Sequence, residues 1–133
     1  MIVAADTSAL YAMLDVHDSN HVAAVNAARA LDDDVELTTT NYVVVEAFSL
    51  VSRCMGMDAV RALQRQGLQA MPIMWTSPLE HAAAIEAFLD SGRATSFVDC
   101  ATMATMKSRG IDTIFTFDDD FSRAGFTVLP AAG

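Results

Sequence analysis

The sequence of 133 residues contains few of the residues that define several common classes of protein. Its two cysteines, Cys54 and Cys100, are too few for a disulfide framework, and both stand in apolar helical sequence, where we expect reduced core side chains. No continuous apolar run reaches the roughly 18 residues of a membrane-spanning helix, so no membrane partner is expected. Asp6 comes too early for a signal peptide and no basic segment precedes it, so we expect a cytoplasmic protein.

Basic residues are scarce as well. Eight lysines and arginines stand against 17 aspartates and glutamates, and the net charge of −9 argues against nucleic-acid binding through bulk positive charge. The basic residues are Lys107 and the arginines Arg29, Arg53, Arg61, Arg65, Arg93, Arg109 and Arg123. Arginine makes bidentate contacts with phosphate more readily than lysine does. The arginines are therefore either solvated residues on helix faces or members of a local phosphate-binding patch.

The sequence does contain enough apolar residues for a well-packed domain. Hydrophobic residues make up 53% of the chain and charged residues 19%, which is typical of a folded protein. The length fits one domain that spans residues 1–133. Short apolar segments alternate with segments of helical periodicity, and this pattern predicts an α/β/α sandwich with a short, mainly parallel sheet.

The individual elements follow from the periodicity and from the cap and turn residues. We predict strands at Ile2–Ala5, Val35–Thr39, Ala70–Trp75, Thr113–Phe117 and Phe126–Leu129. We predict helices at Thr7–Leu14, at Ser19–Leu31, from the N-cap Asn41 to about Cys54 before Gly56, at Met57–Leu68, from Pro78 to Leu89, at Ser96–Arg109 and in a turn after Asp118. Pro72 within the third strand indicates an edge strand or an early position in the strand.

Four acidic residues interrupt sequence that is otherwise apolar. They are Asp6, Glu46, Asp99 and Asp118. Carboxylates are rarely buried unless they are paired or bind a metal ion. Because sites in parallel sheets gather at the carboxyl ends of strands, Asp6 and Asp118 are expected to meet there. The four acids together predict one acidic pocket that holds a divalent cation.

Each acid also has a purely structural explanation. Asp6 and Asp118 could cap the helices that follow them, and Ser96 with Asp99 matches a capping box. Glu46 could lie exposed at the edge of its helix. These explanations are reasonable one by one, but they do not account for all four positions at once.

Phosphodiester cleavage is the chemistry that such a pocket would serve. Divalent cations activate water and stabilise the leaving oxygen in this reaction, and Mg²⁺ prefers the oxygen ligands that carboxylates provide. His17, His21 and His81 lie in helical or turn sequence without a nucleophile elbow, so we interpret them as surface or helix-packing residues.

Four blocks of the sequence resemble those of PIN-domain ribonucleases, and more closely those of VapC-type toxins from prokaryotic toxin–antitoxin pairs. The blocks are residues 5–10 (ADTSAL), 39–46 (TTNYVVVE), 96–100 (SFVDC) and 116–126 (TFDDDFSRAGF), and together they extend over most of the chain. The resemblance implies a PIN-like fold and an endoribonuclease that depends on Mg²⁺, with Mn²⁺ also supporting activity.

The same resemblance implies roles for seven residues. Asp6, Glu46, Asp99 and Asp118 would form the catalytic, metal-binding set, and Asp120 is a candidate accessory ligand. Two further residues, Ser8 and Thr116, would support the pocket through hydrogen bonds, although either could be an ordinary cap or strand residue.

The resemblance also implies partners. A structured cellular RNA, transfer or ribosomal, would be the substrate, and a small cognate antitoxin protein would restrain the enzyme. A homodimer is expected as well, and its candidate apolar residues are Met55, Met57, Leu63, Leu68, Met71 and Met74, for which ordinary core filling is the alternative.

Other functions stay open at this point. An RNA-processing nuclease without a toxin role and a non-catalytic PIN-like binding module would share the same four blocks. A haloacid-type phosphatase or a receiver domain is disfavoured. The phosphatase needs a second aspartate where Ser8 stands, and the receiver needs a lysine near its last strand, whereas Lys107 lies within a predicted helix.

Overall fold

The computed structural model describes residues 1–131. In these residues five parallel strands form one sheet in the order β3-β2-β1-β4-β5. The strands are β1 (Ile2–Ala5), β2 (Glu36–Thr40), β3 (Ile73–Met74), β4 (Thr113–Phe115) and β5 (Thr127–Leu129). The helices are α1 (Thr7–Leu14), α2 (His21–Arg29), α3 (Asn41–Met55), α4 (Met57–Ala62) with a π-helical continuation at Leu63–Leu68, α5 (Pro78–Ser91), α6 (Phe97–Ser108) and α7 (Asp119–Arg123).

Helices cover both faces of the sheet, as the alternation of side chains along β1 shows. Ala4 packs with Met106 and Phe121, which belong to α6 and α7. Its neighbour Val3 packs on the opposite face with Ala9 of α1 and Ala24 of α2. Successive residues of a strand point to opposite faces, so both faces of the central strand are buried. The predicted α/β/α sandwich is confirmed.

The pairing of the central strands determines which residues lie next to one another at the end of the sheet. Ala5 is paired with Phe115 of β4, and Ala4 is paired with Thr38 of β2. Because all three strands run in the same direction, their carboxyl ends lie side by side at one edge of the sheet, which we call the carboxyl edge. Residues that directly follow β1, β2 and β4 are therefore neighbours in space.

Several boundaries differ from prediction by one or more residues, and at two of them a local turn competes with the regular element. The helix predicted from Ser19 begins at His21, since the Asp18 carboxylate accepts a hydrogen bond from the Asn20 N–H at 2.8 Å and forms a turn there. Val35 lies outside β2 because its N–H donates to the Asp32 carbonyl at 3.0 Å.

The predicted cap of α3 was wrong by one residue. Thr40 is the N-cap, and its hydroxyl accepts a hydrogen bond from the Val43 N–H at 3.2 Å. The Asn41 carboxamide oxygen instead accepts from the Thr76 N–H at 2.8 Å. Asn41 therefore connects α3 to the segment after β3. Gly56 ends the helix as predicted, with a φ of +89° that few other residues adopt.

The third strand is at the edge of the sheet, as Pro72 indicated, but it is only two residues long. The fourth strand ends at Phe115, two residues earlier than predicted, although the Thr116 N–H still donates to the Leu129 carbonyl at 3.0 Å. Cys100 is a buried free thiol, whereas Cys54 is exposed, so the prediction that both lie in the core was wrong for Cys54.

The residues predicted for a homodimer contact divide into three groups. Leu63, Leu68 and Met74 are buried and belong to the core, Met55 and Met71 are partly buried against it, and Met57 is exposed. The core explanation is therefore correct for at least three of the six. Within residues 1–131, none of the helices has the length and apolar character that crossing a bilayer would require.

Candidate acidic active site

Asp6 lies at the carboxyl edge, immediately after β1. Its N–H donates to the Phe115 carbonyl at 2.9 Å, which extends the β1–β4 ladder by one hydrogen bond. Asp6 occupies the N-cap position of α1, but the residue is 3% exposed and its side chain makes no capping bond, so capping does not account for its carboxylate. The backbone thus holds this carboxylate beside the end of β4.

Ser8 and Thr116 fix the orientation of the Asp6 carboxylate. Both hydroxyls donate to Asp6 Oδ2, at 2.9 Å from Ser8 and 2.8 Å from Thr116. The Ser8 oxygen accepts from the Phe117 N–H at 3.0 Å, and the Thr116 oxygen accepts from the Asp118 N–H at 2.9 Å. Each hydroxyl has one hydrogen, and both hydrogens are used on Asp6. The two residues therefore act as a rigid pair of donors.

Asp99 enters the site from the first turn of α6. Its N–H donates to the Ser96 hydroxyl at 3.1 Å, which is one of the two bonds of a capping box. At α5 both bonds are made, between Ser77 and Glu80, whereas at α6 the Asp99 carboxylate makes no return bond. The backbone N–H of Asp99 thus takes part in the cap of its helix, while its carboxylate, in a residue that is 5% exposed, is available to the site.

Three of the four predicted acids come together. Asp6, Asp99 and Asp118 each place a carboxylate oxygen within 4.8 Å of the others. Asp118 also caps α7, because one of its oxygens accepts from the Asp120 N–H at 2.9 Å. Glu46 of α3 lies outside this group of three but lines the same open cleft.

The acidic cleft has a volume of about 420 Å³ and contains five carboxylates. Its lining residues include Asp6, Glu46, Asp99, Asp118 and Asp120, together with Thr7, Ser8 and Arg93. All four predicted ligands and the accessory candidate therefore border one space. Thr116 supports the cleft wall by donating a hydrogen bond to Asp6.

The carboxylates oppose one another's ionisation. Burial, followed by the charges of Asp6 and Asp118, raises the pKa of Asp99 to about 8. Burial also raises the pKa of Asp6, although the donors Thr116 and Ser8 act in the other direction. Such mutual repulsion is what a bound cation relieves.

The donor set fits a divalent cation. The described carboxylates offer oxygen ligands only, which suits a hard ion such as Mg²⁺. Thr7 Oγ1, beside Asp6, is buried without a hydrogen-bond partner among residues 1–131, and it belongs to the cleft wall. A buried hydroxyl usually has a partner, so a polar occupant or water is expected next to it.

An aromatic cluster fixes the start of α6 and hence Asp99. The ring of Phe97 meets Tyr42 of α3 and His81 of α5 edge to face, with centroids 5.8 and 5.7 Å apart. The Tyr42 hydroxyl is hydrogen-bonded to His81 Nδ1. His81 is thus a helix-packing residue, in agreement with its interpretation from sequence.

Two arginines, one that lines the cleft and one that is bonded to a residue of its wall, could not be singled out from the sequence. Arg93 lines the cleft from the α5–α6 loop, and Arg123 of α7 is bonded to Asp120. Among seven arginines, sequence alone gave no reason to select these two. The signal that could have found them is their position, since each lies within six residues of a predicted acidic ligand.

Comparison with known proteins identifies relatives of the whole fold. The PIN domain family profile matches residues 3–127. The 23S rRNA-specific endonuclease VapC20 of Mycobacterium tuberculosis is 34% identical over 90 residues, which are 66% of this chain and 69% of that protein.

Solved structures agree with this match. The crystal structure of Mycobacterium tuberculosis VapC20, described as a Sarcin-Ricin loop cleaving toxin, superposes with a TM-score of 0.86 at 28% identity, over 96% of this chain and 97% of that one. VapBC2 from Rickettsia felis, bound to a DNA fragment from its promoter, has a TM-score of 0.74 at 14% identity over 96% and 97% of the two chains. At that identity the second match supports the fold alone.

Proposed function

Because the chain belongs to the PIN-domain family, we propose that its acidic cleft is the active site of a divalent-metal-dependent endoribonuclease that acts as a toxin. The observation that carries this proposal is the convergence of Asp6, Asp99 and Asp118 within 4.8 Å at the carboxyl edge. Three buried or half-buried carboxylates in such proximity are costly without a cation or protons between them.

In this proposal Asp6, Glu46, Asp99 and Asp118 hold Mg²⁺, and Mn²⁺ also supports activity. When bound, the cation supplies positive charge where the reaction accumulates negative charge, and it makes an attacking water more acidic. The chain's own contribution is orientation. Asp6 is held by two hydroxyl donors, and Asp99 and Asp118 are held by the caps of α6 and α7.

The proposed substrate is a structured ribosomal RNA. Sequence resemblance left transfer and ribosomal RNA open, and the likeness to VapC20 over nearly the whole fold favours ribosomal RNA. An RNA-cleaving enzyme with a net charge of −9 must bind its substrate through local contacts, because its overall charge repels nucleic acid.

A cognate antitoxin and a second copy of the chain complete the proposal. The antitoxin would neutralise the enzyme by contributing a cation such as arginine to the surplus carboxylates. For the homodimer, exposed apolar residues are available beside β3, where Val45 and Trp75 line one groove and are 67% and 70% exposed. Exposed large apolar side chains that lie close together are typical of contact surfaces.

The test is to map new RNA 5′ ends after brief induction of the protein. Wild type is compared with Asp99→Asn and with Asp119→Asn, a control that removes an exposed carboxylate one position after Asp118 and outside the cleft. We expect a few sharp cuts in ribosomal RNA with wild type and Asp119→Asn, and none with Asp99→Asn. Equal cleavage by all three proteins, or by none, would contradict the proposal.

A further inference from the structure

Arg93 is the one basic side chain that lines the acidic cleft in the part of the chain described, residues 1–131. It is exposed, and it forms no ion pair within 4.0 Å with any of the five carboxylates that border the same space. A flexible arginine beside so many acids would be expected to pair with one of them. Its charge is therefore not neutralised by these carboxylates and stays available to a ligand.

The loop that carries Arg93 is held at both ends. It follows Gly92, whose φ of +64° ends α5, and the Ala94 N–H donates to the Ser91 carbonyl at 3.2 Å. The rings of Phe88 and Phe97, on either side of the loop, meet edge to face with centroids 5.5 Å apart. The position of the Arg93 backbone relative to the cleft is thus determined by the packing of α5 against α6.

A second arginine is tied to the cleft wall by a different contact. Arg123 of α7 forms an ion pair with Asp120, the side chain of which is 15% exposed while that of Arg123 is 67% exposed. Exposed ion pairs add little stability. The pair places a cation beside Asp120, which lines the cleft, and occupies one oxygen of that carboxylate.

We propose that Arg93 and Arg123 are phosphate-binding residues that position an RNA strand across the acidic cleft, with Asp120 as the anchor of Arg123 rather than a metal ligand. The inference rests on the proposed ribonuclease function, and it adds the path of the substrate. The strand runs from the α5–α6 loop, over Asp99 and Asp118, to α7.

Electrostatics make such contacts necessary here. An RNA phosphate that approaches the cleft meets five carboxylates, and a bound divalent cation offsets part of that charge only at the centre. At physiological ionic strength charges are screened within about 8 Å, so distant arginines cannot compensate. The positive charge has to come from nearby residues, and Arg93 lines the cleft while Arg123 is bonded to Asp120 of its wall.

The experiment measures RNA binding and cleavage separately. Binding is measured in the Asp99→Asn background, as a function of salt, with a short hairpin of ribosomal RNA. Cleavage by otherwise wild-type protein is measured as kcat and KM in Mn²⁺. Arg93→Gln and Arg123→Gln are compared with Arg29→Gln, which removes an exposed arginine that lies on α2 away from the cleft.

We expect Arg93→Gln and Arg123→Gln each to raise KM about tenfold, the value of one charge-assisted hydrogen bond, with a smaller effect on kcat. The slope of log affinity against log salt should become shallower by about 0.7 to 0.9 for each phosphate that is no longer neutralised. Arg93→Lys should restore the slope but only part of the affinity, since lysine retains the charge without the bidentate geometry. Arg29→Gln should match wild type.

Asp120→Asn separates the anchor from a ligand. If Asp120 is an anchor, Asp120→Asn leaves the Mn²⁺ affinity unchanged, as calorimetry measures it. The same variant raises KM as much as Arg123→Gln does. The Asp120→Asn/Arg123→Gln double variant then binds RNA no more weakly than Arg123→Gln alone, because both changes disrupt the same ion pair. A fall of tenfold or more in Mn²⁺ affinity would overturn the assignment.

The two proposals fail in different ways. If wild type cleaves RNA and Arg93→Gln and Arg123→Gln have the KM and salt slope of Arg29→Gln, the positioning role is wrong and the ribonuclease function stands. If wild type does not cleave RNA but binds it through Arg93 and Arg123, the ribonuclease function is wrong and the phosphate contacts stand.

Discussion

Thr116 donates a hydrogen bond of 2.8 Å to Asp6 across a separation of 110 residues in the chain. The same hydroxyl oxygen accepts from the N–H of Asp118 at 2.9 Å. One threonine thus sets the position of two of the three clustered carboxylates. This relationship connects the end of β1 to the end of β4, and it determines how the acidic cleft responds to mutation.

Thr116→Val keeps the size of the side chain and removes the hydroxyl. We expect Mn²⁺ affinity to fall by about tenfold or more, since partners that orient ligands have effects of this order. The measurement is calorimetric titration with Mn²⁺ at pH 7. Thr127→Val is the control, because it makes the same change on the exposed side of β5. Equal affinities for both variants would show that Thr116 does not position Asp6.

The stability of the cation-free protein should decrease as pH rises from about 4 to about 8. Burial and the neighbouring charges raise the pKa of Asp99 to about 8, whereas an aspartate in the unfolded chain has a pKa of about 3.9. Between these two pKa values the native state binds one more proton than the unfolded state does. Raising the pH therefore lowers the free energy of unfolding. Melting temperatures in EDTA across this range measure the effect.

Asp99→Asn is the variant that tests this assignment. It should flatten the pH dependence between about 4 and about 8 and make the cation-free protein more stable than wild type at pH 8. A wild-type melting temperature that rises through the same range would contradict the raised pKa.

Cation binding should release protons at neutral pH. At pH 7 the Asp99 carboxyl of the cation-free protein is mostly protonated, because its pKa is about 8. A cation binds the carboxylate form, so binding displaces this proton and affinity increases with pH until about 8. Calorimetry in buffers of different ionisation enthalpy counts the protons released. Binding with no proton release and no pH dependence between 6 and 8 would contradict the prediction.

The ion pair of Glu80 with Arg109 should stabilise the fold away from the cleft. Glu80 is buried, and its two oxygens accept from the Arg109 guanidinium at 3.1 and 3.0 Å. The guanidinium also donates to the Trp75 carbonyl at 2.7 Å, which fastens the segment after β3 to the end of α6. Arg109→Met should lower the free energy of unfolding by about 1–3 kcal/mol, because it leaves a buried acceptor without its donor.

This ion pair also predicts an acid transition. Hydrogen bonding to Arg109 lowers the pKa of Glu80 to about 2, from the 4.5 of a free glutamate. Its stabilisation is present above about pH 4.5 and is lost as pH falls towards 2. Urea unfolding at pH 7 and pH 3 should show a smaller loss of stability on acidification for Arg109→Met than for wild type. Arg61→Met, which removes an exposed ion pair with Asp58, is the control and should behave as wild type does.

The order of strands and helices could be predicted from the sequence because short apolar runs and helical periodicity depend on neighbouring residues. Cap positions are harder to predict, because they depend on contacts between residues that are distant in the chain. Thr40 and Asn41 are both good N-caps, and the choice depends on the Thr76 N–H, which is 35 residues away from Asn41 and occupies its carboxamide. Sequence patterns do not contain such distant partners.

The acidic residues of the site could be predicted because their signal also lies in neighbouring residues. Each follows or interrupts an apolar segment, and a carboxylate in that context is unusual enough to be recognised. The roles of Arg93 and Arg123 could not be predicted, because exposed arginines are common in any sequence. What distinguishes these two is a position relative to the cleft, which only the packing of α5, α6 and α7 determines.

The two-residue length of β3 has a consequence for how this molecule meets others. Pro72 directly precedes that strand and cannot donate a backbone hydrogen bond, and Pro130 directly follows the three-residue strand β5 at the opposite edge. Both margins of the sheet thus offer few free donors to a strand from another molecule. Fibril-like growth by strand addition is therefore disfavoured at both margins.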